Sequence, residues 1–247
     1  MSFDHERTGH ILPNENNLLQ FYIQDAENFI NENDMKVNMD KTKVMLFNTS
    51  RKFDFPPDLS FMNGSKIETI SSIKLVGVMI SNDLKWKTNT SYITKKAMKR
   101  MWILRRLKKI KMSPSFMLDV YLKEIRSVLE QAVPVWNGAL TVNEVTTIER
   151  VQKTALYIIL GNRYVSYEHA LLLTDLNNLS ERRKQLCINF AKKDIKKADS
   201  LFDKIENRGK NRSKKKSLKV REYRCNSTRF WKSSLPYLSR LINNSLR

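Results

Sequence analysis

The sequence predicts an α+β chain: one helix with short antiparallel strands at the N-terminal end, then an all-α bundle and a basic tail. Three observations predict it. Apolar residues recur at helical spacing in the long segments after residue 84. Strand-length apolar runs and the hairpin signal Asn63-Gly64 lie before that point. Charge divides at the same place: residues 1–82 carry 8 basic and 11 acidic groups, residues 83–247 carry 37 and 14. The second part, at +23, suits a polyanion, with nucleic acid the first expectation and an acidic membrane surface the second.

With 247 residues, 41% of them apolar, the chain can bury a core as one large domain or two small ones. Cys187 and Cys225 fit no metal spacing and make no disulfide framework, so a reducing compartment is expected. The opening MSFDHERTGH has no apolar signal region. The longest apolar run, Ala155 to Leu160, is far too short to span a membrane. A soluble, intracellular protein is expected, nuclear or cytoplasmic and not secreted, with no membrane partner.

Residues 1–17 are polar and read as a loose lead-in. Leu18, Leu19, Tyr22, Ile23, Ala26, Phe29 and Ile30 then mark one helical stripe, ended by the Asn-rich stretch near Asn33. Lys43 to Phe47 has the length and flanks of a buried strand. Pro56-Pro57 breaks the chain, and Asn63-Gly64 joins the hairpin arms Leu59 to Met62 and Ser65 to Ile70. Lys74 to Ile80 reads as a further strand, with Gly77 marking a bulge or a close backbone approach.

The next helix is the most distinctive element. From Lys85 to Lys111 there are eleven Lys or Arg and no acid. Ile93, Ala97, Met101, Leu104 and Leu107 follow three- and four-residue steps and form an apolar face. Lys95, Lys99, Trp102, Arg106 and Lys109 keep the same spacing on the opposite face, with Lys96, Arg100 and Arg105 flanking them. Such a stripe neutralises phosphates and releases their counterions. Trp102 either stacks on a base or ribose or covers a neighbouring helix.

Beyond it, Ser113-Pro114 caps a helix running to about Ala132, where Pro134 stops it; its apolar face is Phe116, Val120, Tyr121, Ile125, Val128 and Leu129. Thr141 and Glu144 form a capping-box pattern for a helix that closes at Gly161. A short helix covers Tyr167 to Leu173 and a long one begins at Ser180. Its run of Arg182, Arg183, Lys184, Lys192, Lys193, Lys196 and Lys197 reads as a solvated face. Residues 204–224 hold ten basic and two acidic groups with few apolar ones, the composition of a disordered segment. Within them RGKNRSKKK fits non-specific nucleic-acid binding or nuclear import.

These stretches also carry a resemblance. MKVNMDKTKVMLFN (35–48), KLVGVMISNDLKW (74–86), ITKKAMKRMWILRRL (93–107) and IRSVLEQAVPVWNGALT (125–141) come first. IERVQKTALYIILG (148–161), SYEHALLL (166–173), LNNLSERRKQLC (176–187) and RFWKSSLPYLSRLIN (229–243) follow. In this order they resemble the reverse transcriptase of non-LTR retrotransposons of the jockey type, in the part after its catalytic aspartates. The resemblance implies a palm remnant with the primer-grip hairpin over residues 18–83, a helical thumb and connection over 84–203, and a basic, partly disordered tail with the terminal family segment over 204–247. It places the primer grip at Val76, Gly77 and Val78, where the family more often has Leu at position 76. It places the Asn-x-x-Lys-Thr signature at Asn38, Lys41 and Thr42. Lys41 is then either a neighbour of the incoming nucleotide or a solvated lysine at a strand entry.

That family is an RNA-directed DNA polymerase, and its two-metal chemistry needs a carboxylate cluster built on an early palm aspartate and an Asp-Asp pair. This chain has no Asp-Asp pair; the nearest sequence, Phe3-Asp4-His5-Glu6, has a histidine in that place. The expectation is therefore a catalytically inactive fragment that binds an RNA–DNA hybrid or duplex without sequence preference. No cofactor, metal or small-molecule substrate is expected. The stretch LKWKTNTSYITKKAMKRMWILRRLKK (84–109) also resembles an N-terminal segment of an AlkB-type tRNA-modifying protein. The His-x-Asp…His iron site and the glycine-rich methyl-donor loop of that protein are both missing here.

Overall fold

The computed structural model describes residues 16–47, 58–197, 199–205 and 219–245. The lead-in up to residue 15, the Pro56-Pro57 break and the RGKNRSKKK stretch lie outside them. The fold is α+β with a helical C-terminal part. The chain forms two compact units: Met1–Ile73 with Ser81–Leu84, and Lys74–Ile80 with Lys85–Arg247.

In the first unit, α1 (Asn16–Glu32) packs Leu19 and Ile23 on a small core of Leu59, Phe61 and Ile67, joined by Val37 and Val44. Polar side chains of α1 fix this face. Gln20 Nε2 donates to Ser60 O at 2.7 Å while its Oε1 accepts from Ser60 N at 3.0 Å, and Glu27 Oε2 accepts from Met62 N at 2.9 Å. Because Gln20 and Glu27 take part in the packed side, the apolar stripe divides, and Tyr22, Ala26 and Phe29 face outward.

Asn63-Gly64 makes the expected reversal. Ser60 and Lys66 bridge antiparallel, Gly64 sits at φ 80°, and Asn63 Oδ1 accepts from Ser65 N at 2.9 Å. Two expectations are corrected. The strand over Lys43 to Phe47 shrinks to β1 (Lys43–Val44), half-buried, with Phe47 50% exposed. It pairs in parallel, not antiparallel, with β2 (Glu68–Thr69). Lys43 Nζ meets Glu68 Oε2 at 2.5 Å across this pair, an opposite-charge contact on the register itself.

Strands β3 (Ser72–Leu75) and β4 (Val78–Ser81) pair with each other, so the single strand expected over Lys74 to Ile80 is instead the tip of a hairpin. Val76 at φ 47° and Gly77 at φ 84° are its two turn residues, both positive as a type I′ turn demands. A valine at such a φ is strained, which is why the sequence reads as continuous strand. The tip belongs to the second unit, where Gln131 Nε2 donates to Val76 O at 3.2 Å and Met79 N donates to Asn89 Oδ1 at 3.1 Å.

The second unit is a helical bundle built on α2 (Lys87–Lys109). Ile93, Ala97, Met101 and Leu104 are at most 2% exposed, as the periodicity requires, and Leu107 packs on the same core half-buried. Ser113 caps α3 (Pro114–Val120), which continues through a wider π turn, Tyr121–Arg126, into α4 (Ser127–Glu130). The buried face is Met117, Tyr121, Ile125, Val128 and Leu129, while Phe116 is 47% exposed. Ala132, left-handed at φ 51°, ends the run, and Pro134 opens the short α5 (Val133–Trp136). Trp136 is fully buried there, its Nε1 donating to Gln131 O at 2.9 Å.

The capping box forms as expected on α6 (Val142–Leu160): Thr141 Oγ1 accepts from Glu144 N and Glu144 Oε2 accepts from Thr141 N at 2.7 Å. Next come α7 (Tyr167–Thr174), with His169 exposed in its first turn, and α8 (Leu179–Asp194), capped by Asn178. The basic run on α8 is only partly solvated. Arg183 is 1% exposed and donates from Nε to Asn137 Oδ1 at 3.0 Å, while Arg182 reaches Glu130 at 3.1 Å.

The terminal segment differs most from expectation. β5 (Lys204–Ile205) pairs antiparallel with β6 (Lys219–Val220), so the ends of the basic stretch are held together. After α9 (Thr228–Lys232), α10 (Ser234–Ser245) buries Leu238 and Ile242 in the bundle core beside Val220. Asn243 fixes this arrangement by accepting from Val220 N at 3.0 Å and donating to Val220 O at 2.9 Å. Residues 219–245 are therefore part of the bundle and not a tail.

Among the described residues no helix is long and apolar enough to cross a membrane. Cys187 is fully buried on α8, and burial pushes its thiol up to about 12, whereas Cys225 is half-buried near the surface. A thiol reagent at pH 8 should therefore label one cysteine rapidly in the native protein and the second only after denaturation. Two equally fast thiols would contradict the packing of α8.

Candidate nucleic-acid interface

The basic stripe of α2 is solvent-facing along its length. Lys95, Lys99, Arg106 and Lys109 are exposed, and Trp102 in their middle is 62% exposed. Lys95 and Lys109 are fourteen residues apart, so the stripe is about 21 Å long at 1.5 Å per residue. Double-stranded nucleic acid presents a phosphate roughly every 3.4 Å of axis on each strand. The stripe thus matches about half a helical turn of backbone. Among the described residues none of these four cations has a carboxylate within salt-bridge reach, whereas their neighbour Arg100 has one.

The flanking residues divide. Arg100 turns inward: its Nη1 donates to the Glu124 carbonyl and lies 3.4 Å from Glu124 Oε2, so it braces α2 on the π turn and is withdrawn from the interface. Lys96 is half-buried. Arg105 is exposed and lines a separate open groove of about 620 Å³ with Lys108, Lys109, Tyr157, Ile158, Gly161, Asn162 and Tyr164. A second groove, about 440 Å³, lies at the other end of α2 between Lys87, Thr88, Ser91, Tyr92 and Lys95. There Lys74 Nζ sits 5.2 Å from the Tyr92 ring centroid and hydrogen-bonds its phenol, which holds that phenol below its usual range.

Like charges at i and i+4, such as Lys95 with Lys99 or Arg105 with Lys109, destabilise a helix by roughly 0.2–0.5 kcal/mol per pair. The helix persists because its other face is buried.

Lys108 has another task, one the sequence did not reveal. Its Nζ donates to Ile159 O at 2.8 Å and so satisfies a carbonyl at the C-terminal end of α6. Gly161 makes room: it sits at φ 56°, ψ −123°, and a Cβ there would come within 2.9 Å of Lys108 Nζ. Gly161→Ala should cost about 1–3 kcal/mol through this backbone strain, read as a drop of several degrees in thermal unfolding. An unchanged midpoint would contradict the C-cap geometry.

The hairpin residues divide too. Val76 is 88% exposed at the turn, Val78 is buried, and Gly77 lies so close to the Gln131 side chain that a Cβ would be 2.2 Å from Nε2. Gly77 is thus neither a bulge nor a strand position: it is a turn residue that comes close to a side chain. In the first unit, Asn38 folds the segment up to Thr42 on itself. Its O accepts from Lys41 N and Thr42 N, its Oδ1 accepts from Lys41 N at 3.0 Å, and Thr42 Oγ1 donates to its O at 2.9 Å. Lys41 is exposed there, in keeping with a solvated lysine at a strand entry.

Among the described residues no three of His, Cys, Asp and Glu gather in a metal-binding arrangement. The titratable groups that burial perturbs belong to a core network. Tyr121 Oη donates to Gln152 Oε1 at 2.6 Å, Gln152 Nε2 donates to Tyr167 Oη at 2.9 Å and to Asn177 O at 3.0 Å, and Tyr167 Oη donates to Glu149. Burial raises both phenols well above their usual range. The one sequence signal for this network is Gln152, a polar residue within the buried stripe of Ile148, Val151 and Ala155. No family model matches the chain, and neither a curated protein nor a solved structure matches it.

Proposed function

We propose that this chain binds the phosphate backbone of an RNA–DNA hybrid or other duplex, without sequence preference, through the exposed face of α2. The reading rests on one observation above the others. Lys95, Lys99, Arg106 and Lys109 stand in register on a solvent-facing stripe with no carboxylate of the described residues beside them, and an exposed indole lies in their centre. Each is placed to displace a counterion from a phosphate, and Trp102 to pack on a sugar or base. The order of sequence stretches resembling a non-LTR reverse transcriptase supports the further reading of a catalytically inactive thumb-bearing fragment of such an enzyme. In that reading Val76, Gly77 and Val78 are the relic of the primer grip. Nucleotidyl transfer is not part of the proposal, because the Asp-Asp pair it needs is missing from the sequence.

The test is binding of purified protein to labelled hybrid, with wild type compared with a fourfold charge reversal of the stripe. Equal affinity in a still-folded variant would falsify the reading.

A second reading, an orphan fragment with no binding role, is favoured by α1. Phe21 is 58% exposed, Phe29 45% and Tyr22 36%, a large apolar share for a single helix. Under that reading the first unit lacks cooperative thermal unfolding on its own, and hybrid affinity does not depend on the α2 stripe.

A further inference from the structure

We infer that the groove between the C-terminal ends of α2 and α6 takes an unpaired nucleotide, so that the protein prefers a duplex with a single-stranded extension to a blunt one. This rests on the proposed grip of a duplex backbone by α2 and adds a site to it.

The groove joins two kinds of group. Arg105 and Lys109 stand exposed on its α2 side and supply the phosphate contacts; Lys109 is also the last member of the α2 stripe, so a strand leaving the stripe enters here. On the α6 side Tyr157 presents a ring that is 62% exposed, although it lies on a helix that buries Ile148, Val151, Ala155, Leu156 and Ile159. Tyr164 holds that ring edge-to-face, with centroids 5.5 Å apart and an interplanar angle of 78°. A ring fixed from one side and open to solvent is a stacking surface, and stacking serves any base because every base has a π-face.

Helix C-termini ordinarily repel phosphate, since their last carbonyls are unpaired and carry partial negative charge. Here Lys108 Nζ occupies Ile159 O, so that obstacle is removed locally while Arg105 and Lys109 remain available. Asn162, exposed on the rim, offers a donor and an acceptor to a base edge. At about 620 Å³ the groove falls within the roughly 300–1,000 Å³ typical of ligand clefts.

The experiment compares blunt RNA–DNA hybrid with the same hybrid carrying a three-nucleotide extension at either end, one extension base being the fluorescent analogue 2-aminopurine. One stacked base is worth about 1–3 kcal/mol, so wild type should bind an extended hybrid roughly tenfold more tightly and quench the analogue. Tyr157→Ala should abolish both effects with blunt-hybrid affinity unchanged, and Tyr157→Phe should retain them. Equal wild-type affinity for blunt and extended hybrids overturns this inference and leaves the α2 reading standing. A preference that survives Tyr157→Ala overturns it too. Failure to bind either hybrid overturns the α2 reading together with this one.

Discussion

Replacing Lys95, Lys99, Arg106 and Lys109 together by glutamate should cut the salt dependence of hybrid binding to about a fifth. With Arg105 the stripe offers five cations to phosphate, for a log–log slope of about −4.5 at 0.9 per contact. Between 50 and 200 mM salt that slope corresponds to a loss of roughly 500-fold in affinity. The reversed protein keeps one of the five contacts, so its slope should lie near −1. The change is compatible with folding, because all four positions are exposed and the glutamates at 99 and 109 face Lys96 and Arg105 one turn away. Circular dichroism and the unfolding midpoint should therefore stay close to wild type. A reversed protein that binds as before would place the interface elsewhere.

The largest loss of stability is expected from Gln152→Ala. Gln152 is fully buried and serves three groups at once: Tyr121 Oη, Tyr167 Oη and Asn177 O. Its removal strands the Tyr121 hydroxyl and the Asn177 carbonyl in the core, at about 1–3 kcal/mol each, in addition to a cavity. The expected total is on the order of 4 kcal/mol, or roughly 10 °C in the unfolding midpoint. Tyr121→Phe strands only Gln152 Oε1 and should cost about a third as much.

The phenols add a pH signature. Burial raises Tyr121 and Tyr167 above the ordinary phenol value of 10.0, so the unfolded chain releases their protons first. Their stabilising effect is fully present below pH 10 and is lost as the pH rises further. Tyr121→Phe should flatten that alkaline decline. Alkaline stability curves of equal steepness for both proteins would show that the buried network does not couple to folding.

Where periodicity ran long, it was read well. The two faces of α2, the Ser113 and Thr141 caps and the Gly161 stop all follow from local rules, because each acts within one helical turn. Divisions within a face were less legible. Arg100 shares the spacing of a flanking cation, but Glu124 from another helix draws it inward. Lys108 looks like one more basic residue until α6 brings the Ile159 carbonyl to it. Arg183 sits in a basic run yet is buried against Asn137, a contact 46 residues away in the chain.

The β elements misled for a different reason. Val76 occupies a turn position that valine rarely tolerates, so the hairpin tip reads as strand. The parallel pairing of β1 with β2 leaves no local mark, since its partners are 25 residues apart. The terminal segment was missed as part of the core because α10 becomes a core helix only once α8 supplies the face it covers. Tyr157 could have been found: it is an aromatic residue on the charged side of α6, following Arg150 and Lys153 at helical spacing.

The most direct test of α2 as a phosphate-binding face is a salt titration of wild-type binding to an RNA–DNA hybrid, run beside a protein lacking residues 206–218. A slope between −4 and −5 in both proteins is expected, since about five contacts lie on the helical unit and not in the deleted stretch. Binding that disappears with residues 206–218 would contradict it, and would make that basic segment the sole binder.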